Sequence, residues 1–258
     1  MRRSTTRCGC SRISDMRIGV IGTGTIASAV VEGIAGDGHD IAVSRRSAVQ
    51  SARLAQMFDN VTVHDNQAVL DRSDVIFLGL MANAAAEILA PLTFRADQRV
   101  ISLMADCPLE RVAQMALPAQ AAAVMIPFPG IAQGGSPALG YGDTDLLQEL
   151  FGARNTIFAL SSEAELAAYN CAQAVLSPAV RLVADAADWL GTRVEDRAQG
   201  EAFLRALVGS SLMGSDCATL LAALNTPGGY NQRLREHMTD SGMGGALTEG
   251  LDNLERGA

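Results

Sequence analysis

Small residues recur at a fixed spacing near the start of the chain, as Gly22, Gly24 and Ala27. Residues 17–21 before them are mostly apolar and predict a buried strand, and residues 28–34 predict a helix. In this context Gly22 allows a tight turn, Gly24 lets a phosphate reach the backbone, and Ala27 lets the helix pack on the strand. Unpaired N–H groups at a helix N-terminus attract phosphate oxygens. The motif therefore predicts a site for the pyrophosphate of a dinucleotide.

The second predicted strand, residues 40–44, ends in Ser44, Arg45 and Arg46, with no acidic residue. A site that prefers NAD(H) usually places an aspartate or glutamate here, where it binds the ribose 2′-hydroxyl. A serine and a guanidinium would instead bind a 2′-phosphate through charge-assisted hydrogen bonds. The pattern predicts NADP(H) as the cofactor; the alternative is that both arginines are solvated surface residues. The predicted cofactor-binding residues are Gly22, Thr23, Gly24, Thr25, Ile26, Ala27, Ser44, Arg45, Arg46, Leu80 and Met81.

Groups for acid–base or nucleophilic chemistry are few. All 20 basic residues are arginines, which excludes any mechanism that needs a lysine amine. His39 is predicted in a surface loop, His64 at a strand end, and His237 in a C-terminal helix. Each is expected to be a surface or packing residue, and His237 alone is kept as a catalytic candidate. No nucleophile has a partnered base, and the five scattered cysteines lack the spacing of a zinc site, so no metal is expected.

Composition and charge exclude several classes of function. A formal net charge of −8 without a dense basic stripe argues against a nucleic-acid partner. No apolar run is long enough to span a membrane, and no apolar stretch follows the arginines of residues 1–15 as in a secretory signal. The cysteines are expected to be free thiols in a reducing compartment, which predicts a cytoplasmic protein. Residues 1–15 are predicted to be a disordered tail, with Met16 as the alternative start.

The pattern of elements changes near residue 161. Before it, short apolar strands alternate with short helices, which predicts a parallel, doubly wound α/β sheet. After it, helix-forming residues dominate; Pro178 is expected to kink the first long helix, and the Thr-Pro-Gly-Gly segment at 226–229 ends the second stretch. We therefore predict a Rossmann-type NADP-binding domain over residues 16–160 and an all-helical domain over residues 161–258.

Several segments resemble pyrroline-5-carboxylate reductase. Residues 17–24 with Ala27 are similar to the opening of that family, and residues 73–78 are similar to its fourth strand. The most specific similarity is the segment at 226–229, followed at the family's interval by Gly-Met-Gly-Gly-Ala-Leu at 242–247. The resemblance runs from about Arg17 to Leu254. It implies an N-terminal Rossmann domain, a C-terminal helical domain that dimerises by interleaving, and active sites shared between subunits.

The same resemblance implies a substrate pocket at the 226–229 turn. Asn231 stands where the family has a threonine that contacts the imine nitrogen, and Tyr230 beside it is a candidate proton donor. The backbone N–H groups of Gly228 and Gly229, with Thr226, are candidates for binding a substrate carboxylate. The alternative is that the turn only joins two helices.

The sequence departs from the family's pattern where the substrate should bind. Residues 127–130 read Pro-Phe-Pro-Gly in place of Pro-Asn-Thr-Pro, and residues 169–173 replace a Ser-Gly-Ser-Gly-Pro segment. Met81 and Ala82 replace a lysine-proline pair, and Tyr230 and Asn231 replace two threonines. The cofactor half is thus kept, while the substrate pocket is rebuilt.

These features predict NADPH-dependent reduction of a small cyclic imine, first of all 1-pyrroline-5-carboxylate to proline, a step of amino-acid biosynthesis. One alternative is a reductase of a different small imine or carbonyl compound. Another is a dimer that binds NADPH as a regulator without turnover. A β-hydroxyacid dehydrogenase also pairs a Rossmann domain with a helical dimer domain, but it requires a catalytic lysine. The expected partners are a small-molecule imine and further copies of the chain, as a homodimer or higher homo-oligomer.

Overall fold

A computed structural model describes residues 16–257, and contacts within it divide the chain into two units after Leu166. The tail predicted at residues 1–15, with Cys8 and Cys10, lies outside the described residues. The first unit is an α/β domain and the second is all helical. The division falls inside a helix, a few residues after the boundary predicted at residues 160 and 161.

The first unit is built on one eight-stranded sheet. Its strands are β1 (Arg17–Ile21), β2 (Asp40–Ser44), β3 (Val61–His64), β4 (Val75–Leu78), β5 (Arg99–Ser102), β6 (Gln120–Pro127), β7 (Pro137–Gly142) and β8 (Thr156–Ala159). They are arranged in the order β3-β2-β1-β4-β5-β6-β7-β8. The first six run parallel, β7 runs antiparallel to β6, and β8 runs parallel to β7. This arrangement confirms the predicted Rossmann-type fold.

Helices connect successive strands of this sheet. They are α1 (Thr25–Ile34), α2 (Ala48–Met57), α3 (Asn66–Arg72), α4 (Ala82–Leu89), α5 (Leu109–Met115) and α6 (Thr144–Phe151), with short 3-10 turns at Ala35–Asp37 and Pro129–Ala132. Crossovers through helices keep the first six strands parallel, because a helix returns the chain to the starting edge of the sheet.

Strand β4 shows why the central strands are apolar along their whole length. Val75 and Phe77 face one buried cluster, whereas Ile76 and Leu78 face a second cluster. All four side chains are at most 1% exposed. A strand that is covered on both faces has no solvent side, so its sequence shows no alternation of apolar and polar residues.

The sheet differs from a wholly parallel one at its far edge. Strands β7 and β8 and helix α6 were not predicted from the sequence, and β7 runs antiparallel to β6. The connection between β6 and β7 contains Gly134 and Gly135, with φ values of 85° and 73°. Glycine adopts this left-handed region without steric cost, so the chain can turn back tightly and pair beside the strand it has just left.

The second unit is formed by helices alone. They are α7 (Glu163–Ala172), which begins in the first unit, α8 (Leu176–Gly191), α9 (Arg197–Gly214), α10 (Cys217–Ala223), α11 (Tyr230–Asp240) and α12 (Met243–Glu255). Within the unit α8 packs along α9, and α11 contacts α12. Among residues 167–257 only Gly191 is buried. The helices therefore expose most of their apolar side chains when one chain is considered by itself.

The predicted kink at Pro178 is in fact a break between two helices. A 3-10 turn at Gln173–Val175 separates α7 from α8. Pro178 lies after this turn, in the first turn of α8, where the missing N–H of proline costs no intrahelical hydrogen bond. The second long stretch is also divided, because Asp216 caps α10 by accepting from the N–H of Thr219.

In the part of the chain that the structure describes, none of the helices has the length and apolar character needed to cross a membrane.

Candidate functional site

A cleft of about 400 Å³ opens where the strand order reverses, beside the carboxyl ends of β1 and β4. Parallel α/β sheets bind ligands at such a point, because the loops on its two sides diverge. The lining residues are Gly22, Thr23, Gly24, Thr25, Ile26, Ala27, Arg46, Ser47, Gly79, Leu80, Met81, Ala84 and Leu103. Of the predicted cofactor residues, all but Ser44 and Arg45 are therefore brought together around one cavity.

The first turn of α1 offers this cleft a site for an anion. No side chain caps the helix, and no acidic residue lies in its first turn. The N–H groups there and the positive end of the helix dipole are therefore available to a phosphate. Gly24 is the N-cap residue, and a Cβ built on it would meet no heavy atom within 4 Å. The protein itself would tolerate a side chain at Gly24, so the open space there fits the close approach of a ligand.

The turn before α1 requires glycine for a different reason. Gly22 has a φ of 91°, a left-handed conformation that side chains rarely adopt. The residue that faces it is Gly79, just after β4, where a Cβ would lie 2.7 Å from the Cβ of Ala27. Gly79 was missed from the sequence, although a glycine directly after a buried strand is a signal of close backbone approach. Both glycines therefore let the ends of β1 and β4 pack against α1.

Ser44 lies beneath the glycine loop and does not line the cleft, contrary to the role expected for it. It is fully buried, and its Oγ accepts a hydrogen bond from the Gly22 N–H at 2.8 Å. Thr23 is also buried, and its Oγ1 donates to the Ser44 carbonyl at 3.4 Å. Both side chains hold the loop from below. Thr23 also belongs to the residues that line the cleft.

The segment after β2 contributes two polar residues to the cleft. Arg46 and Ser47 line the cleft, and the side chain of Arg46 is exposed. The neighbouring Arg45 continues the strand pairing, because its N–H donates to the His64 carbonyl at 3.0 Å. Arg45 is exposed but is not part of the lining. The guanidinium that faces the cleft is thus that of Arg46, with Ser47 taking the place predicted for Ser44.

Apolar residues line the opposite part of the cleft. Leu80, Met81 and Ala84 follow β4, and Leu103 follows β5. Met81 is the N-cap of α4 and is 73% exposed. No carboxylate belongs to the lining residues of this cleft. The cleft therefore has a cationic end suited to a phosphate and an apolar end suited to an uncharged ring.

The Thr-Pro-Gly-Gly turn of the helical unit uses its N–H groups internally. The Gly228 N–H donates to Oε1 of Gln232 at 2.7 Å, and the Gly229 N–H donates to the Thr226 carbonyl at 2.9 Å. The expectation that both groups are available to a carboxylate is therefore wrong for this conformation. A carboxylate could gain the Gly228 N–H by displacing Gln232, whereas the bond of Gly229 closes the turn itself.

The two predicted residues after this turn begin α11. Tyr230 is 92% exposed, and Asn231 is exposed as well. No side chain caps this helix. Within the helical unit both side chains are therefore open to solvent and available to a ligand or to another protein surface.

The histidines and cysteines of the described residues show no catalytic arrangement. His39 was expected at the surface, but it is buried, and the Met16 N–H donates to its Nδ1 at 3.3 Å. Nε2 of His64 lies 3.1 Å from the Thr62 hydroxyl, and His237 is exposed on α11. Cys107 is a free thiol, and burial raises its pKa, which keeps it protonated. Cys171 and Cys217 are free thiols too, as predicted.

Residues 16–257 contain no group of three or more histidine, cysteine, aspartate or glutamate side chains that could hold a metal ion.

A second concavity lies within the helical unit. It encloses about 650 Å³ between α8 and α12. Its lining is almost wholly apolar and includes Val175, Pro178, Leu182, Leu247 and Leu251, with Arg181 as its charged residue. A groove of this size and composition on one chain suits another apolar surface more than it suits water.

Comparison with known proteins bears on the first unit and on the fold. Residues 17–106 match the family described as NADP oxidoreductase, coenzyme F420-dependent. This segment contains the whole cleft, and the match agrees with the predicted NADP(H) cofactor. A sequence comparison with curated proteins gave no significant match.

Solved structures share the architecture of the whole chain at low sequence identity. A 1-pyrroline-5-carboxylate reductase from Streptococcus pyogenes has a TM-score of 0.80 and 18% identity, with 94% of this chain and 97% of that chain covered. A pyrroline carboxylate reductase from Plasmodium falciparum with NADP bound has a TM-score of 0.78 and 13% identity, over 93% and 96% of the chains.

An imine reductase from Pseudomonas sp. is also similar, with a TM-score of 0.59 and 14% identity, over 78% of this chain and 74% of that chain. At these identities the likeness establishes the fold. It confirms the fold expected from the sequence resemblance, with a Rossmann-type unit followed by a helical unit. The chain therefore has the fold of the pyrroline-5-carboxylate reductases, and its first unit matches the NADP oxidoreductase family.

Proposed function

We propose that this protein is an NADPH-dependent reductase of a small cyclic imine, with 1-pyrroline-5-carboxylate as the first candidate substrate. The observation that carries the proposal is the cleft of the first unit, which has a phosphate-binding helix end and Arg46 at one side and apolar residues at the other. Solved structures with this fold include pyrroline-5-carboxylate reductases, which are covered over nearly their whole length, and imine reductases.

Each part of the cleft matches a part of NADPH. The open first turn of α1, with space above Gly24, suits the pyrophosphate. Arg46 and Ser47 suit the 2′-phosphate, which a carboxylate at this point would repel. Leu80, Met81 and Leu103 suit the nicotinamide ring, which carries little charge. When bound, NADPH supplies the hydride for the reduction.

Reduction of an imine demands little acid–base chemistry from a protein. A protonated C=N bond is already an electrophile, so the protein has to orient it beside the cofactor and keep water away, which can lower the barrier by several kcal/mol. A sequence with few catalytic groups and no lysine is compatible with such a task. In this scheme Tyr230 holds the proton that reaches the nitrogen, and the amide of Asn231 hydrogen-bonds to the substrate.

A second candidate is the reduction of an imine without a carboxylate. The observation that favours it is the internal use of the Gly228 and Gly229 N–H groups, which removes two of the donors expected for a substrate carboxylate. Phe128 and Pro129 in place of an Asn-Thr pair also make that part of the sequence less polar than in the family it resembles.

We further propose that two chains associate through their helical units. Large apolar side chains on several helices are exposed, among them Trp189, Phe203, Leu212 and Met213. An isolated globular unit rarely exposes so much apolar surface, whereas an obligate dimer interface buries it. The groove between α8 and α12 would then receive apolar residues of the second copy, in line with the interleaved dimer that the resemblance implies.

The deciding experiment is a comparison of two substrates that differ only in the carboxylate. Oxidation of NADPH is followed by its absorbance with 1-pyrroline-5-carboxylate and, separately, with 1-pyrroline. Turnover of the first at roughly 1 per second or more supports the proline-forming reductase. Turnover of only the second supports the second candidate. Tight NADPH binding with turnover of neither compound, nor of other cyclic imines, would leave a regulatory NADPH-binding protein and contradict the proposed reductase.

A further inference from the structure

The end of β2 and the glycine loop are joined by a buried hydrogen bond that the sequence did not disclose. Ser44 is the last residue of β2, and its Oγ accepts from the Gly22 N–H at 2.8 Å. Ser44 has no exposed surface. Water cannot take over this bond without opening the loop, so the loss of the hydroxyl would leave a buried N–H without its acceptor.

A second contact ties the same two segments together. The hydroxyl of Thr23 donates to the Ser44 carbonyl at 3.4 Å, and Thr23 is also fully buried. Ser44 thus receives hydrogen bonds at both its side chain and its backbone from consecutive residues of the loop. The loop cannot move away from the end of β2 without losing both bonds.

The position of Ser44 in the chain gives this contact a consequence for the ligand. Two residues later Arg46 enters the cleft, followed by Ser47, whereas the loop that Ser44 holds continues into the open first turn of α1. Ser44 therefore links the glycine loop to the end of β2, in addition to the pairing of β1 with β2. The Gly22 N–H, turned towards Ser44, is also withdrawn from the donors available to the ligand.

Resting on the proposed binding of NADPH, we propose that Ser44 is a positioning residue that holds the glycine loop in its binding conformation and does not itself touch the cofactor. Without its hydroxyl the loop gains conformations in which Gly22 bonds to water. Binding must then select the competent fraction, which weakens the apparent affinity in proportion. Because the 2′-phosphate site is not touched directly, NADPH and NADH should lose affinity by the same factor.

The test compares Ser44→Ala with Ser73→Ala. Ser73 is 1% exposed and donates to the Val69 carbonyl at 2.8 Å. It precedes the amino-terminal end of β4, which is the end of the strand away from the cleft. The dissociation constants of NADPH and NADH are measured by fluorescence, well below the unfolding temperature of each variant. We expect Ser44→Ala to raise both dissociation constants by about tenfold and to leave their ratio unchanged. Ser73→Ala should leave both dissociation constants as in the wild type.

Amide hydrogen exchange observes the loop directly, and the protection of core amides in the same variant separates local opening from global unfolding. In the cofactor-free wild type the Gly22 amide should exchange far more slowly than the Gly24 amide, and this protection should disappear in Ser44→Ala but persist in Ser73→Ala. Equal cofactor affinities in wild type and Ser44→Ala, or an unprotected Gly22 amide in the wild type, overturn the inference about Ser44. A wild type that binds no NADPH instead contradicts the proposed function.

Discussion

Gly22 and Gly79 meet backbone to backbone where β1 and β4 end. A Cβ on Gly79 would lie 2.5 Å from the Gly22 carbonyl oxygen, and a Cβ on Gly22 would overlap the Gly79 carbonyl. Neither carbonyl can retreat easily, because the Gly79 N–H also donates to the Ile21 carbonyl at 2.9 Å. The two strands can approach this closely only when both residues lack a side chain.

A substitution at Gly22 should therefore impair folding, whereas a substitution at Gly24 should impair only cofactor binding. Gly22→Ala adds both a clash and a strained φ, and we expect it to destabilise the protein by about 1–3 kcal/mol. Gly24→Ala meets open space and an ordinary φ of −73°. It should unfold at the wild-type temperature but bind NADPH at least about tenfold more weakly, because its Cβ enters the space assigned to the pyrophosphate. Calorimetry and cofactor titration together distinguish the two effects; wild-type affinity in Gly24→Ala would contradict this assignment.

Arg46 should set the preference for NADPH over NADH. Removal of a charge-assisted hydrogen bond costs about 1.5–3 kcal/mol of binding free energy. Arg46→Ala should therefore lower the affinity for NADPH by about ten- to a hundredfold and change the affinity for NADH little. Arg45→Ala is the matched control, because Arg45 is exposed one residue earlier but does not line the cleft. The sequence pattern predicts that Arg45 binds the 2′-phosphate as well, so a larger loss of NADPH affinity in Arg45→Ala would favour that prediction. Titrations at two salt concentrations should show the preference weakening as screening increases.

Tyr230 should affect turnover without affecting the cofactor. If its hydroxyl supplies the proton, Tyr230→Phe should lower kcat by about a hundredfold while the dissociation constant of NADPH stays unchanged. Tyr141→Phe is the control, since Tyr141 lies on β7 of the first unit and does not line the cleft. A kcat for Tyr230→Phe equal to that of the wild type would remove Tyr230 from the mechanism and leave solvent as the proton source.

A charge in the apolar groove should weaken association of the chains. Leu247, on α12, is 41% exposed and lines the groove. A buried, unpaired carboxylate costs several kcal/mol, so Leu247→Glu should shift the protein towards monomer in sedimentation experiments over a range of concentrations. Val49→Glu places the same charge on an exposed apolar residue of α2 in the first unit, at 81% exposure, and should leave the assembly unchanged. If both variants sediment like the wild type, the groove is not part of the interface.

The amino-terminal ends of β1 and β4, which lie away from the cleft, should contribute stability that depends on pH. The hydrogen bond from Arg17 to Asp74, at 2.8 Å between Nε and Oδ2, holds the pKa of Asp74 below its ordinary value, and Arg95 adds a contact at 3.2 Å. A lowered pKa in the folded state adds stability above the ordinary aspartate pKa of about 3.9, and this stability is lost as the pH falls through the lowered value.

Asp74→Asn should accordingly destabilise the protein at neutral pH and become equal to the wild type in strong acid. The side chains of Arg17 and Asp74 are 53% and 42% exposed, so we expect a difference of only about 0.5–1 kcal/mol. Thermal unfolding at neutral pH and below pH 4 measures it, and NADPH affinity at neutral pH should not change. A stability difference that persists unchanged in acid would show that the charge of Asp74 is not its cause.

The part of the fold that could be predicted is the part whose signals are local. The strand at 17–21, the glycine motif and the start of α1 follow one another directly, and each requires the others. Strand β7 could not be predicted in this way. Its residues Gly140 and Gly142 weaken strand preference, and it exists because β6 pairs with it across a connection of nine residues, 128–136. Pairing with a neighbouring strand of the sheet here overrides the local preference of the residues.

For the site, too, the sequence predicted only part of the arrangement. The residue types at the end of β2 predicted a serine and an arginine at the cleft, but which of them line it depends on how the strand ends. Ser44 turns under the loop, so Ser47 takes its place in the lining. His39 was likewise expected at the surface of a loop, yet it is buried beside Met16. Sequence gives the chemical groups near a site, whereas their directions are set by the backbone around them.

The antiparallel direction of β7 determines at which end of the sheet each connection lies. The carboxyl ends of strands β1 to β6 lie at the end of the sheet that carries the cleft, whereas β7 and β8 finish at the opposite end. The segment after β7 therefore begins away from the ligand, and its single residue before α6, Asp143, caps that helix by accepting from the Leu146 N–H. Evolutionary change in ligand preference and change in robustness can thus accumulate in different loops of one domain.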